Sequence, residues 1–212
     1  MSVKLWSNVQ IAMQSAIAAT KTITGITKAN PGVVTSTAHG YSNGDYVLLT
    51  IQGMWQLDAR VCRIASVATD TFQLEGVDTT SYDTFSSGTA QKITFGTTIS
   101  SAADINVSGG DFDQIDVTTI HDNVKKTIPG ASNPISISMN LNWDPSDAGQ
   151  LAMKTASDAR AQRAFLFTFS DSAKWTFTGY VGASMSPTGQ AQAKVTTPVV
   201  ITAYGKPMAY TS

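Results

Sequence analysis

The chain is poor in charge, cysteine and long apolar runs, and each shortage closes off a class of function. Only 14% of its 212 residues are charged and the formal net charge is -1. No long-range field therefore gathers nucleic acid, anionic lipid or acidic substrates. Cys62 is the single cysteine, which excludes an intrachain disulfide and a cysteine-built zinc site within one chain. It reads as a core residue. Glu75 is the only glutamate, and the Asp residues fall among turns, caps and strand ends, so the paired carboxylates of glycoside hydrolysis are not signalled. No apolar run reaches the ~20 residues that cross a bilayer. The N-terminal stretch LWSNVQIAMQSAIAA is broken by Ser7, Asn8, Gln10 and Gln14. The expectation is a soluble chain made in a cytoplasm, without a signal peptide or a membrane partner.

What is present is Thr, Ser, Ala and Gly in quantity, with 42% hydrophobic residues, a balance suited to β-structure with weakly charged faces. From Ile135, ISISMNLNW alternates without a break. Ile135, Ile137, Met139, Leu141 and Trp143 share one face, and Ser136, Ser138, Asn140 and Asn142 the other, as in a half-buried antiparallel strand. The period returns at Lys174, with Trp175, Phe177, Val181, Ala183 and Met185 opposite Thr176, Thr178 and Ser184. A Pro-Thr-Gly turn within Ser186 to Gln190 leads to a second alternation through Ala191, Ala193, Val195, Val199 and Ile201. The two stretches are expected to form a long hairpin, with Pro198 at an edge or bulge.

One helix is expected in WDPSDAGQLAMKTASDARAQ, with Asp144 as N-cap, Pro145 at the first helical position and Asp147 in the first turn. Its buried stripe is expected to be Ala148, Leu151, Ala152, Thr155 and Ala159. Arg160 and Arg163 lie near its end, where the helix dipole favours positive charge.

From Lys28 to Gln91 the texture changes to short strands (VVTST, YVLLTI, VCRIASV, TFQLEG) between Gly, Asn and Asp turns. This reads as a small β-barrel inserted into the first domain. The alternative is that these strands extend one sandwich.

Within that region Gly40-Tyr41-Ser42-Asn43-Gly44 matches G-x-S-x-G, but a nucleophile elbow needs a helix after it, and here the strand YVLLTI follows. His39 and His121 lack metal-pair spacing. No catalytic residue, cofactor site or metal site is assigned, and the chain is not expected to be an enzyme.

The segment IDVTTIHDNVKKTIPGASNPISISMNLNWDPSD, Ile115 to Asp147, resembles the tail tube (major tail) proteins of long-tailed phages. There, an "IDVT" type strand leads through a long loop with "PG" to an alternating strand and a "DP" helix start. VQIAMQSAIAATKTITGIT and the C-terminal hairpin fall where that family has its other tube-domain strands. Residues GVVTSTAHGYSNGDYVLLTIQGMWQLDARVCRIASVATDTFQLEG are similar to a small β domain, FCCH-like, that recurs as an insertion in phage tail proteins.

The resemblance implies a mainly β fold: an antiparallel β-sandwich tail-tube domain with one α-helix, formed by residues 1–27 and 92–212, plus an inserted small β-barrel, 28–91, on the tube exterior. It implies homo-hexameric rings stacked into a tube within the virion, made in the host cytoplasm. Its partners would be a tape measure protein in the lumen and tail terminator and distal tail proteins. Genome DNA would pass through without specific binding. The lumen would be lined by Asp116, Thr118, Ser136, Ser138, Asn140, Thr176, Thr178, Gln190 and Gln192, with Lys194 paired to Asp116 or outside the bore. The loop His121 to Ser132, with Asp122, Asn123, Val124, Lys125, Lys126, Thr127, Ile128 and Pro129, would reach the next ring; the plain alternative is a mobile loop. A second reading is a receptor- or glycan-binding β module presenting aromatics near Trp55 or Tyr82. A hydrolase using Ser42 is the third.

Overall fold

Alternation along Ser136–Asn142 builds a strand whose odd members, Ile137, Met139 and Leu141, are buried while Asn140 and Asn142 stay exposed. The same rule generates most of the molecule, which is mainly β and antiparallel with a single α-helix among the described residues. The computed structural model describes residues 6–211. Met1 to Leu5 and Ser212, which the expected tube domain includes, lie outside the described residues.

In chain order the strands are β1 (Gln10–Ile17), β2 (Lys21–Ile23), β3 (Gly25–Ile26), β4 (Val33–Thr35), β5 (Tyr46–Gln52), β6 (Val61–Ala65) and β7 (Thr71–Leu74). Then follow β8 (Ser87–Ile99), β9 (Ala102–Ser108), β10 (Phe112–Asp116), β11 (Thr127–Ser132) and β12 (Ser136–Asn142). Helix α1 (Ala148–Asp158) precedes β13 (Gln162–Thr168), β14 (Lys174–Ala183) and β15 (Thr196–Tyr210). A 13-stranded sheet runs β3-β4-β7-β6-β5-β8-β1-β13-β14-β15-β12-β9, with β2 also on β8.

The long strand β8 joins two cores. Its first half pairs with β5, Tyr46 opposite Ile93, and its second half with β1, Ile11 opposite Ile99. The first core gathers Val34, Leu49, Ile64, Phe72 and Leu74, and takes in Ile23 from one flank and Met208 and Tyr210 from the other. The second lies between the odd face of β12, β14 and β15 and helix α1, with Phe165, Phe167 and Phe177 at its centre. Phe165 and Phe177 stack with ring centroids 5.5 Å apart.

Helix α1 starts later than the Asp-Pro pair suggests. Asp147, not Asp144, is its N-cap, and its carboxylate accepts from the Gln150 N–H at 2.8 Å. Asp144 instead accepts from the Ser146 N–H and hydroxyl at 2.8 and 2.7 Å, so Pro145 sits in a turn. The buried side is Gly149, Gln150, Met153 and Ala156, while Leu151 is 46% exposed. The rotation has a steric cause: a Cβ on Gly149 would lie 2.6 Å from the Thr98 carbonyl, so only glycine lets the helix press on β8 there.

The C-terminal hairpin also differs from expectation. Strand β14 ends at Ala183, β15 begins at Thr196, and the span 184–195 is a loop tied by an isolated Thr188–Thr196 bridge. Val195 is 46% exposed, and Met185 lies outside the strand. Pro198 falls one residue past the last β14 pair, Ala183 opposite Val199, where β15 is a local edge on that side. Trp143 lies past the end of β12, exposed, with its indole N–H donating to the Met185 carbonyl at 2.9 Å.

Candidate assembly surface

Two surfaces remain once both cores are filled: one face of the sheet, and an arm that leaves it. The face follows from register. Ser138 opposes Val200, which opposes Gly182, while Ser136 opposes Thr202, which opposes Tyr180, so these side chains point the same way. On the other side of β12, Ser138 opposes Asn106 and Asn140 opposes Asp104. Asn140 Nδ2 donates to both Asp104 carboxylate oxygens at 3.1 Å.

The expected lumen set divides. Ser136, Ser138 and Asn140 share this face, and Asp104 and Asn106 of β9 join them. Thr176 and Thr178 are removed from it: both are buried, at 0% and 2% exposure. The Thr176 hydroxyl bonds to the Phe165 carbonyl at 2.9 Å. The Thr178 hydroxyl lies 3.0 Å from the Ala59 carbonyl and 2.5 Å from that of Tyr204. Alternation tells which residues share a face, not what covers it, and here residues just before β6 cover one end. Gln190 and Gln192 are exposed in the loop 184–195 rather than on a strand. Lys194 belongs to the same loop, and the cation facing Asp116 is Lys125, at 3.8 Å.

Asp116 and Thr118 belong to the arm. What was expected as a loop from His121 to Ser132 is in part a strand: β11 pairs with β10, placing Asp116 opposite Thr127, Ile128 opposite Ile115 and Pro129 opposite Gln114. The tip therefore runs from Val117 to Lys126. Gly109 and Gly110, with φ of 84° and 86°, supply the left-handed backbone that carries the chain out of β9.

The tip is stitched by short polar contacts. Asp116 accepts from the Thr118 N–H at 2.8 Å, and Thr118 with its side chain and backbone holds that carboxyl below the usual range. Asp122 bonds to the Lys126 ammonium and accepts from the Thr119 N–H and hydroxyl at 3.0 and 2.9 Å. Lys126 first, then Thr119, depress its carboxyl as well. His121 is exposed, its N–H 3.4 Å from the Thr119 hydroxyl.

The arm's apolar side chains face solvent. Ile120 is 97% exposed, Val124 74%, Phe112 58%, Ile115 50% and Ile128 49%. A two-stranded ribbon in water is marginal on its own, and an apolar cluster of this kind marks a surface that another molecule covers. The sequence signal was available in Ile115 and Val117 on either side of Asp116, but no core face distinguished it from a loop.

The G-x-S-x-G stretch forms a turn into β5. Ser42 donates its N–H to Asp45 at 2.9 Å, and Gly44 has φ 86°. His39 is buried, with Nδ1 accepting from the Tyr41 N–H at 3.0 Å, so that ring nitrogen is not directed at Ser42. Cys62 is fully buried, and desolvation pushes its thiol up to about 11.

A curled antiparallel sheet with an open polar face and a protruding ribbon of exposed apolar side chains defines a mainly β protein without an enzyme-like cleft among the residues weighed above. The chain belongs to the phage tail tube protein family: the family model described as phage tail tube protein, TTP, matches residues 52–212, more than half of its length. No curated protein matches it. Family membership makes the chain a structural component of the virion tail, working as a multimer with other tail proteins.

Proposed function

We propose that the chain assembles into hexameric rings that stack into the tail tube, with the arm carrying the contact from one ring to the next. The observation that carries this reading is the arm itself, a separate two-stranded ribbon whose largest apolar side chains are exposed. Folding alone leaves that surface wet, and a second copy is its natural cover. Lateral closure of the sheets into one barrel removes the free edge of β9, the terminal strand of the sheet.

In this arrangement Ser136, Ser138 and Asn140 face the bore with Asp104 and Asn106. Lys and Arg contacts to phosphate are the main source of sequence-independent DNA affinity, and this group of side chains contains neither. Such a surface suits a conduit through which genome DNA is ejected without being held. Residues 28–91, FCCH-like by resemblance, are assigned to the exterior; Ala59 of this region covers the Thr178 end of the sheet face that carries Ser138, so that end of the face lies beyond the bore. The tape measure protein occupies the lumen before ejection, and terminator and distal tail proteins cap the two ends. Synthesis takes place in the host cytoplasm.

Negative-stain microscopy of the purified chain tests this directly. Annular particles or tubes with a central hole are expected; a monomer at high concentration, without such particles, overturns the reading. A second reading has one observation behind it: Trp55 is 61% exposed, with the Lys206 ammonium 5.5 Å from its ring centroid. An exposed aromatic of this kind can dock a host glycan. Tyr82 contributes less, being only partly exposed with its hydroxyl 3.3 Å from the Arg60 guanidinium. Glycan-array binding by the whole protein, lost in Trp55→Ala, is the measurement that favours it.

A further inference from the structure

We propose that the groove between helix α1 and the bulged strand β1 is the receptor for the arm of a second copy, closed by an ion pair between Arg163 of one copy and Asp113 of the other. The inference rests on the assembly reading above and names the surface which that reading leaves open.

The groove has a volume of about 370 Å³ and is lined by Met13, Ile17, Thr97, Ala152, Thr155 and Arg163, among others. It exists because β1 loses register with β8 on both sides of Gln14. A bulge of this kind bends the strand and opens a gap beside it. The floor, Met13, is buried, while Ile17 on the rim is 43% exposed. Arg163 stands on the same side of β13 as Phe165 and Phe167, but at the start of the strand, beyond the packed aromatics. Its guanidinium reaches only the Gln162 carbonyl, at 3.3 Å, and no carboxylate among the described residues pairs with it. A half-buried guanidinium offers a planar fork that suits a carboxylate, and here the fork is open.

The arm presents the complement. Alternation along β10 and its continuation places Ile115 and Val117 on one side of the ribbon, with Ile128 directly across from Ile115, and Asp113 stands two residues before Ile115, at the register shift between Phe112 and Gln114. Of the arm's acids, Asp116 faces Lys125 and Asp122 bonds to Lys126. Asp113, like Asp111 at the base of the arm, meets no cation among the described residues; one Asp113 oxygen accepts from the Asn133 amide at 3.1 Å. One ribbon face thus carries apolar side chains and acids without a cation partner among the described residues, Asp113 within β10 and Asp111 just before it, and the groove, lined by apolar and polar side chains together, carries one guanidinium without a carboxylate partner. An arm cannot fold back on its own Arg163 without leaving β9 and β12, between which its two stems are anchored. The occupant is therefore another copy.

The test is charge reversal in the full-length protein, read as the critical concentration for elongation by sedimentation and microscopy. Arg163→Glu and Asp113→Arg are each expected to raise it about tenfold or more, and the double variant to bring it back within about threefold of wild type. A second measurement does not depend on charge: cysteines introduced by Arg163→Cys and Asp113→Cys are expected to form a disulfide between copies in assembled tubes. Either single variant elongating at the wild-type concentration assigns the groove to another tail protein or to nothing, and overturns the pairing. So does a double variant that stays impaired while the cysteine pair fails to cross-link. Wild-type protein that never assembles sinks the assembly reading itself, whereas failure confined to these variants sinks only the pairing.

Discussion

Truncating the arm tip separates folding from assembly. Ile120 and Val124 are 97% and 74% exposed in the single chain, so Ile120→Ala with Val124→Ala removes nothing that the subunit's own core uses. The melting temperature is expected to stay within about 2 °C, since surface changes of this sort cost under ~0.5 kcal/mol. On the proposed ring-to-ring contact the same side chains are covered. The double truncation deletes five carbon groups, which at roughly 0.8 kcal/mol per buried group and weighted by those exposures amounts to about 3.5 kcal/mol per contact. That is a ceiling of about 300-fold in the elongation constant, and the entropy of ordering the two side chains offsets part of it, so about 30- to 300-fold is expected. Elongation followed by light scattering over a concentration series reads this out. A folded double variant that elongates at the wild-type critical concentration would refute the argument that the arm's apolar side chains are covered on assembly.

Four further outcomes follow from particular contacts. Ser138→Lys with Asn106→Lys is expected to slow DNA ejection at low salt by adding phosphate contacts; Asn140→Lys is the poorer probe, because Asp104 beside it, within 3.1 Å of the asparagine amide, would neutralise the ammonium. An unchanged ejection rate in virions carrying both lysines counts against the bore assignment. Thr178→Val leaves the Ala59 and Tyr204 carbonyls without their hydroxyl partner and is expected to cost about 1–2 kcal/mol, seen as a fall of a few degrees in a thermal melt. Cys62, its thiol pushed to about 11 by burial, is expected to resist thiol reagents at about pH 8 until the protein is denatured. The Asp122 carboxyl is depressed by Lys126 and Thr119, so its contribution to tip order is present above the ordinary carboxylate range and is lost only as pH falls through its lower folded value; amide NMR shifts of Thr119 and Lys126 are expected to hold at about pH 4.

Much of the sheet was readable from period-2 alternation, because the apolar members of β12 and β14 face a core that the local pattern alone describes. The helix was readable as a helix but not in its rotation, since Asp144-Pro145 imitates a cap while Gly149 sets the true contact with β8. Thr176 and Thr178 look like solvent-facing residues of a half-buried strand. Thr178 is covered by a segment 119 residues away in sequence, and no local window contains that information. The arm was hidden for the opposite reason: its strands, carrying Asp and Pro, bury almost nothing within one chain.

The thirteen residues of β8 serve both cores at once. Residues 28–91 therefore cannot be excised as a cassette: a cut at that boundary leaves the shared strand with half of its neighbours missing and exposes Ile93, which is now buried. Grafts for surface display belong instead in turns such as that around Trp55, which is 61% exposed, where an inserted peptide leaves the strand shared by the two cores intact.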